Sequence, residues 1–152
     1  FLLTKTWYDP AMKDRKITNE QKTEIAEILR KNGAVVGYLF GSYSRDTAGA
    51  LSDLDVGIVF PKSTVETIQE EKIEKIRSEL ERVFGRDKVD IVNVSTLQNP
   101  LLRYIIVLSE GQTLFNDNTG LHNEISALAL REYEDTRALR AIQRSALTNL
   151  FV

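Results

Sequence analysis

Hydrophobic residues are distributed along the chain in two alternating patterns. Short runs of β-branched and aliphatic residues are typical of buried strands, and they cover residues 34–40, 51–60, 88–94 and 112–115. Around them, apolar residues recur every three or four positions, which indicates amphipathic helices near residues 18–31, 64–84 and 101–110, and from 121 onwards. The pattern therefore predicts a chain that mixes strands and helices and ends in a helical segment.

Residues with strong positional preferences mark the ends of two of these helices. Thr18 and Gln21 form the capping-box pattern that opens a helix, and Asn32-Gly33 follows as its stop signal. Pro100 is well placed at the start of a later helix, and Gly111 is expected to cap its end. These signals place the first predicted strand directly after a helix and the last one directly after Gly111.

The second predicted helix is long and charged on its outer face. Ser63 or Thr64 is positioned to cap its start, and Gly85 to end it. The charge run Glu70-Glu71-Lys72 is expected to be a solvated helix face rather than a binding patch. The apolar stripe of this helix is predicted to consist of Val65, Ile68, Ile76, Leu80 and Val83.

The C-terminal stretch has neither proline nor glycine after residue 120. It predicts one long helix or a pair of helices, and its apolar stripe would pack on the domain or on a partner. His122, the single histidine, is expected to be a surface or helix-start residue rather than a ligand. The apolar positions of the stretch are Leu121, Ile125, Leu128, Leu139, Ile142, Ala146 and Leu150.

Composition narrows the class of protein. The 152 residues are 42% hydrophobic and 28% charged, which is typical of one globular domain. The absence of cysteine excludes disulfides and thiolate zinc sites and fits a reducing compartment, so a cytoplasmic protein is expected. A net charge of −2 gives no general attraction to nucleic acid, and no apolar run approaches the roughly 20 residues of a membrane span.

The N-terminal region carries a separate expectation. The only methionine is Met12, so the natural start is expected there, with the preceding residues an upstream extension; a true N-terminal arm is the alternative. We therefore predict an arm or extension over residues 1–17, a core over 18–116 and a C-terminal helical segment over 117–152.

The candidate chemistry lies between the first two predicted strands. Asp53 and Asp55 are two residues apart, so on a strand their side chains would emerge on the same face. Two adjacent carboxylates repel, and a divalent cation such as Mg²⁺, which prefers oxygen ligands, resolves the conflict. Gly41 permits close approach of a ligand to its backbone, and Ser42 and Ser44 add hydroxyls at the start of a short helix. Together these residues suggest a phosphate cradle facing an acidic metal site.

The spacing of these residues resembles a known signature. Gly41-Ser42, ten residues, then Asp53-x-Asp55 is similar to the signature of the polymerase-β-type nucleotidyltransferase superfamily, and the short chain is most similar to the minimal nucleotidyltransferases, the MNT proteins. The resemblance implies an α+β fold of the polymerase-β type, with a small mixed sheet, flanking helices and a C-terminal helical segment. It covers roughly residues 18–115.

The resemblance also implies roles for individual residues. Asp53 and Asp55 would hold one Mg²⁺ that bridges the triphosphate of ATP. Asp55 and Asp90 would share a second Mg²⁺, and Asp90 would be the base for the acceptor proton. Because Asp90 interrupts an aliphatic strand, the alternative is a structural carboxylate at a solvated strand end.

Three residues of the turn would bind the nucleotide. Gly41 and Ser42 would hold the β- and γ-phosphates, and Ser44 would contribute a further hydroxyl. Arg45 would either neutralise charge in the transition state or be an ordinary surface ion-pair partner. Many family members have glycine after this arginine, whereas this chain has Asp46, which leaves the role of Arg45 open.

The acceptor is implied by the resemblance alone. MNT proteins usually accompany a HEPN-domain ribonuclease toxin and act as its antitoxin by transferring AMP to a tyrosine of that partner. The segment 131–137 is polar and aromatic, which suits either a protein-facing surface or a solvated helix face. The alternatives are an antibiotic-type nucleotidyltransferase that modifies a small molecule and an antitoxin that inhibits by binding alone. An enzyme that extends RNA ends is least favoured, because the chain is acidic.

Overall fold

The computed structural model describes residues 16–45, 47–49, 52–85 and 87–150. The predicted N-terminal arm and the start at Met12 lie outside these residues apart from positions 16 and 17, as do Asp46 and the first residue of the strand predicted over 51–60. The strands are β1 (Val36–Phe40), β2 (Leu54–Val59), β3 (Val89–Asn93) and β4 (Gln112–Asn116). The helices are α1 (Asn19–Lys31), α2 (Glu66–Phe84), α3 (Pro100–Tyr104), α4 (Thr119–Asp135) and α5 (Arg137–Leu150).

The four strands form one mixed sheet in the order β3-β2-β1-β4. β1 pairs antiparallel with both β2 and β4, whereas β2 and β3 run parallel. β2 and β3 therefore begin at the end of the sheet where β1 stops. This arrangement confirms the predicted α+β class and the small mixed sheet.

Each face of the sheet has its own hydrophobic core. On one face, α1 and α2 pack against alternate residues of the central strands, among them Leu39, Val56 and Ile58, which are buried. On the other face, Val36, Tyr38 and Val59 belong to a second cluster that includes residues of α3's continuation and of α4. The period of two along the strands thus sends successive side chains into opposite cores.

The ends of α1 follow the sequence signals closely. Thr18 accepts a hydrogen bond from the backbone N–H of Gln21, and the Gln21 side chain accepts one from the backbone N–H of Thr18, so the predicted capping box is present. Asn32 is the C-cap and Gly33 follows with φ +93°, as the stop signal predicted. The apolar face of α1 is buried against the sheet through Ile25 and Leu29.

Two predictions for α2 are wrong. The N-cap is Val65, and neither Ser63 nor Thr64 caps the helix through its side chain. Val65 and Ile68 are 61% and 39% exposed, so the first turn lies off the core and the buried stripe begins only further along the helix. The buried residues of α2 are Ile76, Leu80, Val83 and Phe84. Gly85 ends the helix with φ +134°, as predicted.

The segment after Pro100 is helical but irregular. α3 has Asn99 as N-cap and Pro100 in its first turn, then continues as a π-helical turn over Ile105–Ser109. The C-cap of this turn is Glu110, and Gly111 does not have a positive φ, so the prediction of a glycine C-cap is wrong. A side chain at this position is excluded for another reason, since a Cβ there would lie 1.8 Å from the carbonyl oxygen of Ile106.

The C-terminal stretch forms the pair of helices that was one of the two alternatives. α4 has Asn118 as N-cap, so Gly120 lies inside its first turn. Leu121, Ile125 and Ala129 are buried beneath α4, whereas α5 buries none of its residues. None of the helices in the described part of the chain is both long enough and apolar enough to cross a membrane.

His122 is neither fully exposed nor isolated. It is half-buried in the first turns of α4, and its Nδ1 lies 2.8 Å from the hydroxyl of Tyr38, which is completely buried on β1. This hydrogen bond satisfies a polar group in the second core and joins α4 to the central strand. The imidazole therefore has a structural contact that its position in the sequence did not indicate.

Candidate nucleotide-binding and catalytic site

The predicted site residues all lie at one end of the sheet. β1 ends at Phe40 and continues into a 3₁₀ turn over Gly41–Tyr43, while β2 and β3 both begin here. The register pairs Phe40 with Asp55 across the antiparallel strands and Asp55 with Asp90 across the parallel strands. Residues that are far apart in the sequence are therefore neighbours at this end of the sheet.

The three carboxylates differ in their surroundings. Asp55 lies within β2 and is half-buried, whereas Asp90 on β3 is exposed. Asp53 is also exposed and precedes β2, which begins at Leu54, so it does not lie on the strand as predicted. Asp55 and Asp90 thus occupy fixed sheet positions, and Asp53 approaches from the connecting segment.

Gly41 is in direct contact with the most buried of these carboxylates. Its φ of +71° lies in the left-handed region, and a Cβ at this position would be 2.1 Å from Oδ2 of Asp55. Any other residue would be strained in its backbone and would collide with the carboxylate. The glycine therefore lets the Asp55 carboxylate lie directly against the backbone of the turn.

The turn after Gly41 is closed by its own hydrogen bonds. The Ser44 hydroxyl donates to the Gly41 carbonyl at 2.8 Å, and the backbone N–H of Thr47 donates to the Ser42 carbonyl at 3.0 Å. Ser44 is buried, so its hydroxyl hydrogen is used within the turn. Its predicted contact with nucleotide remains a prediction, as do those of Gly41 and Ser42.

The pKa of Asp55 is raised to about 6, mainly by burial and also by the charges of Asp90 and Asp53, with Arg45 opposing the shift. The pKa of Asp55 therefore reflects the charges of all three neighbouring residues. A carboxylate with a pKa near neutrality is poised to gain a cation, because a positive charge would relieve both the desolvation and the repulsion.

The carboxylate oxygens of Asp53, Asp55 and Asp90 suit Mg²⁺ chemically, but the three side chains do not converge on one point. Among the described residues, no three acidic or histidine side chains converge closely enough to hold a metal ion. The charges of Asp53 and Asp90 nevertheless act on Asp55, and the Asp55 carboxylate lies directly against the backbone of the Gly41 turn. Hard oxygen donors of this kind suit Mg²⁺, which takes its remaining ligands from water and phosphate.

Arg45 has the ion pair that was one of its two predicted roles. Its Nη1 lies 3.1 Å from Oε2 of Glu110, and both side chains are about half exposed. The same cation acts on the charge of Asp55. An exposed pair of this kind is weak, so Arg45 is held near the site without being locked to Glu110.

Two further residues at the site carry no signal in the sequence. Gln112, the first residue of β4, donates its amide N–H to the Ser44 carbonyl at 2.9 Å, and Lys22 of α1 donates to Oε1 of Gln112 at 2.9 Å. Gln112 and Ser44 are separated by 68 positions. Only the neighbouring positions of β1 and β4 in the sheet could have brought Gln112 into consideration.

A glycine-serine turn that follows one strand and lies beside carboxylates of the next two strands is the arrangement expected of a nucleotidyltransferase. The chain belongs to the polymerase beta nucleotidyltransferase family, whose family model matches residues 23–120. The match includes every predicted site residue.

Relatives agree with this class. A protein of Methanocaldococcus jannaschii that is provisionally assigned as a protein adenylyltransferase is 33% identical over 87 residues, which cover 56% of this chain and 85% of the relative. A chain from a toxin–antitoxin structure with AMP-PNP superimposes with a TM-score of 0.59 and 22% identity, covering 86% of this chain and 98% of that one.

A second structural neighbour comes from a complex of the tri-AMPylated Shewanella oneidensis HEPN toxin with its MNT antitoxin. The TM-score is 0.56 at 21% identity, and the match covers 89% of this chain and 100% of that chain. At this level of identity the likeness establishes a shared fold. It includes the complete length of the matched chain.

Proposed function

We propose that this protein is an adenylyltransferase that moves AMP from ATP to a tyrosine hydroxyl of a HEPN ribonuclease toxin and thereby acts as the antitoxin. The observation that carries the proposal is the contact between the Gly41 backbone and the Asp55 carboxylate, directly beside Asp90. The proposed sites for phosphates and for cations would meet at that contact. Family membership and the likeness to a chain of the HEPN toxin–MNT antitoxin complex support this substrate class.

The proposed nucleotide site uses the residues of the turn. Gly41 and Ser42 would face the β- and γ-phosphates, with Ser44 shaping the turn through its hydrogen bond to the Gly41 carbonyl. Arg45, a cation already near Asp55, would counter the charge of the triphosphate. The AMP-PNP in the structure of a toxin–antitoxin neighbour supports ATP as the nucleotide.

The proposed metal ligands are Asp53, Asp55 and Asp90. When bound, two Mg²⁺ ions would neutralise the triphosphate and favour ionisation of the acceptor hydroxyl. The half-buried Asp55 is the residue whose charge most needs a cation, and the two exposed carboxylates on either side can adjust to complete the ligand set. Dependence on Mg²⁺ is part of the proposal.

In the proposed reaction, the acceptor oxygen forms a bond to the α-phosphorus of ATP as the bond between that phosphorus and the β-bridging oxygen breaks. Pyrophosphate leaves, and the phenolic proton passes to Asp90. Asp90 suits this role because it is exposed at the edge strand, where a protein side chain can approach.

The remaining assignments follow from this role. A HEPN toxin is the proposed macromolecular partner, and direct binding to nucleic acid is not expected of an acidic chain. We also propose a cytoplasmic location, which a composition without cysteine favours. Residues 18–116 are proposed as the catalytic core and 117–152 as an appended helical segment.

The test uses purified protein, Mg²⁺, α-labelled ATP and the HEPN protein encoded beside its gene. Label should appear on the HEPN protein, and Asp55→Ala should reduce the rate of transfer at least about 100-fold by removing the central cation ligand. Glu71→Ala, which removes an exposed carboxylate on α2, serves as the matched control and should transfer normally.

Two other outcomes would redirect the assignment. Neutralisation of the toxin without label, unaffected by Asp55→Ala, would indicate an antitoxin that acts by binding alone. Label on a small-molecule hydroxyl in the absence of any partner protein would indicate an antibiotic-type nucleotidyltransferase.

A further inference from the structure

The turn that is proposed to hold the phosphates is supported from outside by one short segment. Residues 110–112, which join the π-helical turn to β4, contact two successive residues of the turn. Glu110 pairs with Arg45 at 3.1 Å, and Gln112 donates to the Ser44 carbonyl at 2.9 Å. We call this segment the clamp.

We propose that the clamp positions the Gly41–Arg45 turn for the triphosphate, with Gln112 as its central positioning residue. The inference rests on the proposed function for its ligand, but the restraint on the turn is a property of the free protein and can be measured without nucleotide.

The sheet places Gln112 where this role requires it. β4 pairs with β1 so that Gln112 is opposite Leu39, two positions before Gly41. The amide of Gln112 therefore reaches past the end of β1 to the carbonyl of Ser44. Because a peptide unit is planar, fixing this carbonyl also fixes the direction of the following N–H, that of Arg45.

Lys22 orients the amide of Gln112. Its ammonium donates to Oε1 at 2.9 Å, so the oxygen is occupied by a cation and the NH₂ group is directed at Ser44. Both contacts are partly buried, which makes them less subject to competition from water than the exposed pair of Arg45 and Glu110. The restraint thus extends from α1 through β4 to the turn.

Gly111 fixes the clamp to the body of the protein. Its backbone N–H donates to the carbonyl of Ile105 at 3.0 Å, and its α-carbon lies so near the Ile106 carbonyl that a Cβ would be 1.8 Å from that oxygen. Glu110 also donates its backbone N–H to Ile105 at 2.9 Å. The residues on both sides of Gly111 are consequently held at a set distance from the second core, in which Ile106 is completely buried.

The clamp contributes to ligand binding through pre-organisation. A turn that is already held in its bound shape loses less conformational freedom when the triphosphate arrives. The turn's own bonds, from the N–H of Ser44 to Gly41 and from the N–H of Thr47 to Ser42, report its order. Loss of the clamp should weaken these bonds before it affects the cores.

Gln112→Glu is the informative variant. It keeps an acceptor for Lys22 but places a carboxylate oxygen against the Ser44 carbonyl, so attraction becomes repulsion. Lys22→Met keeps the amide donor of Gln112 but removes the cation that orients it, and Gln98→Glu makes the same chemical change on an exposed loop glutamine. The two are controls for the loss of the lysine and for the added charge.

The first measurement is hydrogen–deuterium exchange of the free protein over residues 41–47. Gln112→Glu should speed exchange of the Ser44 and Thr47 amides about 10-fold or more, with α1 and α2 unchanged, while Gln98→Glu has no effect and Lys22→Met a smaller one. Unchanged exchange of the turn in Gln112→Glu would overturn the clamp, whatever the protein binds.

The second measurement is the affinity for AMP-PNP in Mg²⁺, together with the melting temperature. Gln112→Glu should bind about 10-fold more weakly while melting within a few degrees of the unmodified protein, a split that a merely structural residue would not produce. Equal affinity in a variant with a loosened turn would overturn positioning for the triphosphate. If the unmodified protein does not bind AMP-PNP, the proposed function fails and the exchange result alone decides the clamp.

Discussion

The end of the sheet that carries Asp55 and the last helix of the chain are organised in opposite ways. At the sheet end, polar groups are held by one another and by the backbone, as in the contacts of Gly41 with Asp55 and of Gln112 with Ser44. α5 buries no residue, and its large apolar side chains are 55–75% exposed. These side chains are Leu139, Ile142, Leu147 and Leu150.

The end of the sheet is held in one arrangement by contacts with the rest of the fold, whereas α5 has few such contacts. At the site, a single added Cβ on Gly41 would collide with the Asp55 carboxylate, so small changes there should be costly. α5 contacts the rest of the described chain mainly through the end of α4, where Tyr133 stacks on Tyr104 with 3.8 Å between ring centroids and Arg140 lies 3.7 Å from the centre of the Tyr133 ring. Changes beyond that contact should cost little. The following predictions test this contrast.

The largest effect is expected from Gly41→Ala. The added Cβ would lie 2.1 Å from Oδ2 of Asp55 in a backbone with φ +71°, so the carboxylate or the turn must move. We expect at least about a 100-fold loss of the transfer rate, because a displacement of this size removes productive alignment. The measurement is labelled-AMP transfer, with the melting temperature followed in parallel.

Gly120→Ala is the matched control for this substitution. A Cβ at position 120 would have only Asn118 Oδ1 near it, at 3.7 Å, and the residue lies in the first turn of α4. Activity should be normal and stability unchanged or raised by up to about 1 kcal/mol. If Gly41→Ala and Gly120→Ala had the same transfer rate, the close contact between Gly41 and Asp55 would not matter for activity.

Leu80→Ala should have the largest effect on stability. Leu80 is completely buried between α2 and the sheet, and truncation would cost about 2–5 kcal/mol through lost burial and the cavity left behind. Chemical denaturation of the variant gives this value. A loss below about 1 kcal/mol would show that the first core is loosely packed.

The sequence anticipated the parts of the site that depend on local chemistry. The apolar run indicated that Asp55 would lie on a strand, and Gly41 was identified as a position that a close contact requires; the group that meets it in the structure is the Asp55 carboxylate, and approach of a ligand stays a prediction. Both follow from backbone geometry within a few residues. The start of β2 after Asp53 was missed, because strand ends are set by pairing with β1 and β3 rather than by the strand's own residues.

Contacts between distant segments were beyond sequence reasoning. Val65 and Ile68 have the same helical spacing as the buried residues of α2, yet both are exposed because the first turn of α2 does not pack on the core. Gln112 reads as an ordinary polar residue at the start of an edge strand. Its contact with Ser44 exists only because β4 is placed beside β1, and no local pattern encodes that order.

Asp55→Asn should stabilise the protein in metal-free buffer at neutral pH. Because the folded-state pKa of Asp55 is raised from 3.8 to about 6, its ionisation opposes folding, and stability is lost as pH rises through that window. The asparagine variant lacks this loss and should gain about 1 kcal/mol above pH 6, after allowance for solvent at a half-buried group.

Denaturation curves at pH 4 and pH 7.5 in EDTA measure this gain, which should vanish at the lower pH. Addition of Mg²⁺ should then stabilise the unmodified protein more than the variant, reversing part of the difference. A variant that is less stable than the unmodified protein at pH 7.5 would contradict the raised pKa of Asp55.

The smallest effect is expected on α5. Leu147→Gln replaces a side chain that is 58% exposed, and Ile142→Gln replaces one that is 66% exposed, so each should change the free energy of unfolding by less than about 0.5 kcal/mol. Chemical denaturation of the isolated protein provides the measurement, with Leu80→Ala as the buried counterpart. A decrease of more than about 1 kcal/mol in the free energy of unfolding of either variant would mean that the apolar stripe of α5 is covered in solution. The contrast between a pre-organised site and a helix with few contacts would then be wrong.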